Sequence, residues 1–182
     1  PKIAPIQVVV IPIFYKDKPN EKLASKAKDL TNLLIEKSIR AHCDDREEYT
    51  PGWKFNEWEL RGVPLRLEIG PRDLENRTVT FALRDRGERV IVDEGAVVEK
   101  AKELLDALQT RLKERAEAMF RELCSTAESY EEFKQILASK GGFIKAGWCG
   151  DQRCEASIKE ETGADIRVVP FEADPYLKTC VY

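Results

Sequence analysis

Apolar positions along this chain shift repeatedly between strand-like and helix-like spacing. Residues Ile6 to Phe14, IQVVVIPIF, form a β-branched apolar run with prolines beside it, which predicts a buried strand. From Glu21 to about His42, Leu23, Ala27, Leu30 and Leu34 recur at helical spacing and predict an amphipathic helix. Strand followed by helix is the opening of an α/β unit. In PLRLEIG the alternation is clean: Leu65, Leu67 and Ile69 share one face, Arg66 and Glu68 the other. TVTFALR repeats it, with Val79, Phe81 and Leu83 inward and Thr78, Thr80, Ala82 and Arg84 outward. GPRDLENR between them reads as a turn region, and ERVIVD as another short strand.

From about Gly95 the period becomes helical, with a stripe of Ala101, Leu104, Leu108 and Leu112 continued by Ala116, Phe120 and Leu123. A helix this long, charged on its other face, suits a connection between two domains, and a boundary is expected near Lys113. Ser129 with Glu132 three residues on is a capping-box pattern, starting a helix that stops at Gly141 and Gly142. GGFIKAGWCG then predicts a strand and turn, DQRCEASIKEETG a short helix closed by Gly163, and DIRVVPF a last strand.

The segment Gly52–Asp73, GWKFNEWELRGVPLRLEIGPRD, stands out because its first half fits neither period. Trp53, Phe55 and Trp58 lie among Lys54, Asn56, Glu57, Glu59 and Arg61, just before the strand that presents Arg66. Rings beside arginines and a carboxylate are what recognition of splayed RNA bases requires, since rings and guanidinium planes stack and charged groups read base edges. The competing reading is a solvated sheet face under a loop whose rings cover the core edge.

Composition narrows the field. At 182 residues the chain can hold one large domain or two small ones. Its net charge of −3 does not announce a nucleic-acid binder, so any such site must be a local basic patch. No apolar run is long enough to span a membrane. The chain starts at Pro1 rather than Met, which suggests a piece of a longer, cytoplasmic protein. No GxSxG, Walker loop or HExxH pattern occurs, and His42, the single histidine, suits a helix-capping or surface role better than catalysis. Among five cysteines, Cys149 and Cys154 have four residues between them in a glycine-containing turn and Cys180 follows downstream. Three such thiolates fit a structural zinc site, buried inert thiols, or a redox pair at Cys149 and Cys154. Cys43 and Cys124 read as ordinary helix residues.

PGWKFNEWELRGVPLRLEIGPRDL resembles the anticodon-binding domain of prolyl-tRNA synthetases of the archaeal and eukaryotic type, and GGFIKAGWCGDQRCEASIKEETGADIRVVPF is similar to the C-terminal domain of the same enzymes. The resemblance covers essentially the whole chain. It implies an α/β fold: an anticodon-binding domain with a mixed sheet flanked by helices over residues 1–113, then a small α/β domain over 114–182. The implied partner is proline tRNA, whose second and third anticodon bases are guanines. The implied base contacts are Phe55 by stacking and Glu59, Arg66 and Asp73 by polar readout, with Lys54, Arg72 and Arg84 as further base or backbone contacts. Trp53 and Trp58 would brace the segment against the core. The family's metal pattern is a cysteine pair separated by four residues and a later CxxC; Cys149, Cys154 and Cys180 match its first three positions, and the fourth would fall one residue beyond Tyr182. The resemblance thus implies structural zinc in the intact protein and a chain cut short of the family's C-terminus. The parent would be a homodimeric ligase that forms a proline adenylate and transfers proline to tRNA. Its ATP- and magnesium-binding catalytic domain would lie upstream, leaving this chain inactive alone. A protein- or RNA-binding module stabilised by zinc is the alternative.

Overall fold

Strand β1, Val8–Pro12, is buried along its whole length, and that burial organises the first half of the molecule. The structure is a computed structural model and describes residues 4–14, 21–172 and 179–182. They divide into two compact units, Pro1–Leu112 and Lys113–Tyr182.

In the first unit a five-stranded sheet has the order β2-β1-β3-β4-β5. β2 is Ala41–Cys43, β3 Leu65–Ile69, β4 Thr78–Leu83 and β5 Arg89–Asp93. β1 runs parallel to β2 and β3, while β4 and β5 continue antiparallel, so the sheet is mixed. Helix α1, Glu21–Glu36, and the first half of α4, Val97–Leu123, cover one face. Val8, Val10, Leu67, Val79 and Phe81 pack there with Leu23, Leu30, Leu34, Ala101 and Leu104. Helix α2, Pro51–Leu60, covers part of the other face, where Val9 and Ile11 meet Trp58 and Val63. A strand covered on both sides must be apolar at every position, which accounts for VVVIP. β3 and β4 bury their predicted inward residues.

The second unit contains a parallel pair, β6 (Cys124–Ala127) and β7 (Phe143–Ala146), joined through α5 (Tyr130–Ser139). Helix α6, Gln152–Thr162, follows. Its small core gathers Ala127, Phe133 and Val181, with Ile136, Ile144 and Ile158 against them. The Ser129 hydroxyl accepts the Glu132 N–H as the capping pattern requires, and Gly163 closes α6 in the left-handed region. Gly142 has φ +87°, and a Cβ there would collide with the Leu123 carbonyl, so this crossing of α4 and β7 requires glycine.

Six expectations change. The first helix ends at Glu36 because Ser38 turns left-handed (φ 64°); His42 and Cys43 then lie in β2, paired with Val9 and Val10. Cys124 likewise opens a strand. The out-of-period segment is helical: Thr50 caps α2 by accepting the Trp53 N–H, and Pro51 occupies its first turn. GPRDLENR contains a short helix, α3 (Pro71–Asn76), closed by Arg77 at φ 54°. Among the described residues DIRVVPF pairs with no strand, and Val168, Val169 and Phe171 are exposed. Within α4 the buried stripe stops at Leu108; Leu112 and Phe120 are exposed.

Candidate nucleic-acid interface and thiolate cluster

α2 is anchored by one buried carboxylate. Asp44 is 1 % exposed, and its Oδ2 accepts the Trp58 indole N–H at 2.7 Å. Arg46 donates to both Asp44 carboxylate oxygens at 2.8 Å and also to Glu57. The Lys54 ammonium, 3.9 Å from the Asp44 carboxylate, donates to the Asp44 backbone carbonyl at 3.1 Å. Burial works against the Asp44 charge, but the hydrogen bonds from Arg46 and Trp58 outweigh it and bring its pKa down to about 2. Burial pushes the Lys54 pKa below that of an ordinary lysine, partly offset by Asp44.

With α2 fixed, Phe55 and Glu59 stand one helical turn apart beside the outward residues of β3. Arg66 donates from NH1 to Glu59 at 3.2 Å and from Nε to Glu68 at 2.8 Å, and its guanidinium carbon sits 4.0 Å from the centre of the Phe55 ring. Arg84 donates from Nε to the Glu59 carbonyl at 2.9 Å. Residues Phe55, Glu59, Arg66 and Arg84 therefore form one cluster. Glu59, Arg66 and Arg84 line a recess of about 90 Å³ together with Val9, Trp58 and Ala82. A carboxylate and guanidinium groups at a small recess, with the Phe55 ring against one of them, can accept from, donate to and stack against a planar heterocycle.

Arg72 and Asp73 lie apart on α3. Arg72 is exposed, while Asp73 accepts the Gly70 N–H at 2.8 Å and so caps its own helix. Among the described residues, no hydrogen bond or ion pair links α3 to the Phe55–Arg66 cluster. Lys54, expected as a further contact, is 1 % exposed, and its ammonium donates to the Asp44 carbonyl rather than joining the Phe55–Arg66 cluster. Trp58 braces α2 as expected. Trp53 does not: it is exposed and stacks on Tyr49 at 3.9 Å, with Arg46 over both rings. Sequence reasoning missed the Asp44–Arg46 anchor; an aspartate pair followed by arginine just before a Thr-Pro helix start was the available signal.

In the second unit, Cys149, Cys154 and Cys180 place their sulfurs within 4.8 Å of one another, with Cys149 and Cys154 at 3.4 Å. Tetrahedral zinc–thiolate bonds of about 2.3 Å put ligand sulfurs about 3.8 Å apart, so the three fit one zinc ion. The Asp151 backbone N–H and then the Cys154 and Cys180 thiols lower the Cys149 pKa, whereas hydrogen bonding to Cys149 pushes Cys154 up to about 11. Val181 fixes the approach of Cys180 by donating its N–H to the Gly147 carbonyl at 2.9 Å.

Residues 7–104 match the family described as Anticodon binding domain. The chain belongs to this family. Residues 130–182 match a second family, described as Prolyl-tRNA synthetase, C-terminal. The chain is 45 % identical over 96 % of its length to a protein named Proline–tRNA ligase from Natranaerobius thermophilus, and 45 % identical over the same share to one from Rubrobacter xylanophilus. A third, from Alkaliphilus oremlandii, is 41 % identical over the full chain. The chain spans 36–37 % of the length of these relatives. No helix among the described residues is long and apolar enough to cross a membrane.

Proposed function

We propose that the first unit reads the anticodon of proline tRNA for a proline–tRNA ligase, in which ATP-dependent proline activation and transfer belong to a separate catalytic domain that uses magnesium. The observation that carries this reading is the Phe55–Glu59–Arg66–Arg84 cluster on an anticodon-binding-family domain. Glu59 accepts from the N1 and N2 hydrogens of an anticodon guanine, and an arginine donates to the base's O6 and N7 acceptors. Phe55 and the Arg66 plane stack on the base. Arg72, exposed on α3, contacts the RNA backbone, and Asp73 contributes polar readout from the same helix. Contacts this far from the reacting ends select the tRNA and orient it, which is remote binding energy used for specificity.

In the second unit Cys149, Cys154 and Cys180 hold a structural zinc ion. Bound zinc ties together the turn after β7, the start of α6 and the segment carrying Cys180. The intact ligase is a cytoplasmic homodimer.

Binding of tRNA transcripts to the chain, followed across a salt series, tests the reading. Transcripts with the proline anticodon bind with a steep salt dependence, and Glu59→Ala weakens them selectively. A Glu59→Ala chain with wild-type affinity for those transcripts contradicts it.

A further inference from the structure

Glu68 is the buried carboxylate that this site has no obvious reason to contain. It occupies the outward face of β3 and is 3 % exposed. Across the sheet its row is Ile11, Glu68, Thr80 and Ile91. The adjacent row is Val9, Arg66, Ala82 and Arg89. Arg66 and Arg89 therefore flank Ala82 two strands apart, a span of roughly 10 Å. Ala82 is too small to fill that span, and the recess opens over it.

Glu68 reaches both arginines. Its Oε1 accepts from Arg66 Nε at 2.8 Å, and its carboxylate accepts from Arg89 NH2 at 3.1 Å. Engaging the Arg66 Nε fixes the plane of that guanidinium and leaves its terminal nitrogens at the recess, one of them on Glu59. The Arg66 side chain is 12 % exposed and that of Arg89 58 %, so one guanidinium lies under the site and the other at its rim. An apolar or hydroxyl side chain would satisfy this sheet position for packing alone, as Thr80 does beside it. A buried acid is costly unless paired, and here both pairing groups face the recess.

We propose that Glu68 is a positioning residue for base recognition, holding Arg66 and Arg89 as two preset guanidinium forks around the recess over Ala82. The ligand edge they suit is the paired acceptor edge of guanine, which a planar guanidinium meets with two parallel hydrogen bonds. Arg89 is thereby a second specificity-determining arginine. This inference rests on the anticodon-reading proposal.

The experiment compares the affinity of the 182-residue chain for two anticodon stem-loop RNAs, one with the proline anticodon and one with both its guanines replaced by adenine. The readout is the ratio of the two affinities, measured by fluorescence anisotropy. Glu68→Gln keeps the side-chain volume but removes the charge that grips both arginines. It is expected to reduce the ratio about tenfold, the worth of one good bidentate base contact, while affinity for the adenine loop changes less than threefold. Arg89→Gln changes an exposed side chain, leaves Glu68 paired with Arg66, and is expected to cut the ratio in the same direction. It carries the test if Glu68→Gln melts early by circular dichroism. A ratio unchanged in Arg89→Gln, or affinities for both loops falling together in Glu68→Gln, overturns the inference. If the unmodified chain shows no guanine preference, the underlying anticodon reading fails, and the inference with it.

Discussion

Replacing Asp44 by asparagine tests how α2, which carries Phe55 and Glu59, is held to the sheet. The substitution keeps an acceptor for the Trp58 indole but removes the charge facing Lys54 and Arg46. Two routes give the magnitude. The fall of the Asp44 pKa from 3.8 to about 2 corresponds to about 2.5 kcal/mol, at 1.36 kcal/mol per pKa unit. Removing one partner of a buried ion pair costs about 3–5 kcal/mol, because the other charge is left unpaired. With the Trp58 contact kept, the expected loss is at the low end, about 3 kcal/mol. Urea titration followed by tryptophan fluorescence measures it at neutral pH. Because the Asp44 pKa is depressed in the folded state, its contribution is full above about pH 4 and disappears as pH falls through about 2. The wild-type advantage over Asp44→Asn therefore shrinks with acidification in that window. A Lys54→Met background removes the stranded cation, and the cost of Asp44→Asn is expected to drop by at least 1 kcal/mol there, within the usual range of coupling between contacting residues. A cost below about 1 kcal/mol in the native background, or an equal cost in both backgrounds, refutes the account of Asp44 as the anchor.

Gly142→Ala is expected to destabilise the second unit by well over 1 kcal/mol, because the added methyl meets the Leu123 carbonyl and the backbone is left-handed; thermal melting by circular dichroism reads this. Cys149→Ser is expected to lower the zinc retained per chain after dialysis, measured by atomic emission, and to remove the thiolate-to-cobalt absorption of the cobalt-loaded chain; unchanged metal content counts against the cluster. Trp53→Ala removes an exposed ring and is expected to change stability by less than about 1 kcal/mol, whereas Trp58→Ala costs about 3–5 kcal/mol.

Strands β1, β3, β4 and β5 were legible in the sequence because each has a simple relation to its surroundings, whereas the short β2 was not. β3 and β4 each put one face into the core and alternate, and β1 is covered on both sides and does not. α2 was hidden for the opposite reason. Lys54 takes a buried place on its inner face and Trp53 an exposed one, so apolarity no longer marks which residues face inward. The capping residues Thr50 and Pro51 carried the missing signal. The helix expected to reach His42 stops because Ser38 adopts a left-handed backbone, a choice that apolar spacing does not encode. DIRVVPF has strand-like composition but no partner strand among the described residues, and pairing is a property of the tertiary fold rather than of the segment.

The same division holds for the candidate site. Arg66 could be placed outward from alternation alone, and Arg84 followed from β4. That Arg66 lies on the Phe55 ring and pairs with Glu59 depends on the position of α2, which periodicity did not supply. Lys54 looked like a cation available to RNA because its partner, Asp44, comes from a different element. Cys149 and Cys154 were recognisable by spacing, whereas the approach of Cys180 depends on the Val181 contact with Gly147.

The most direct measurement of the central claim is a competition experiment with the unmodified chain. A labelled proline anticodon stem-loop is displaced by unlabelled loops that differ only at the two guanines. The account predicts that replacing either guanine weakens competition by at least about tenfold, and that Arg66→Ala erases the difference. Equal competition by a loop lacking both guanines contradicts it.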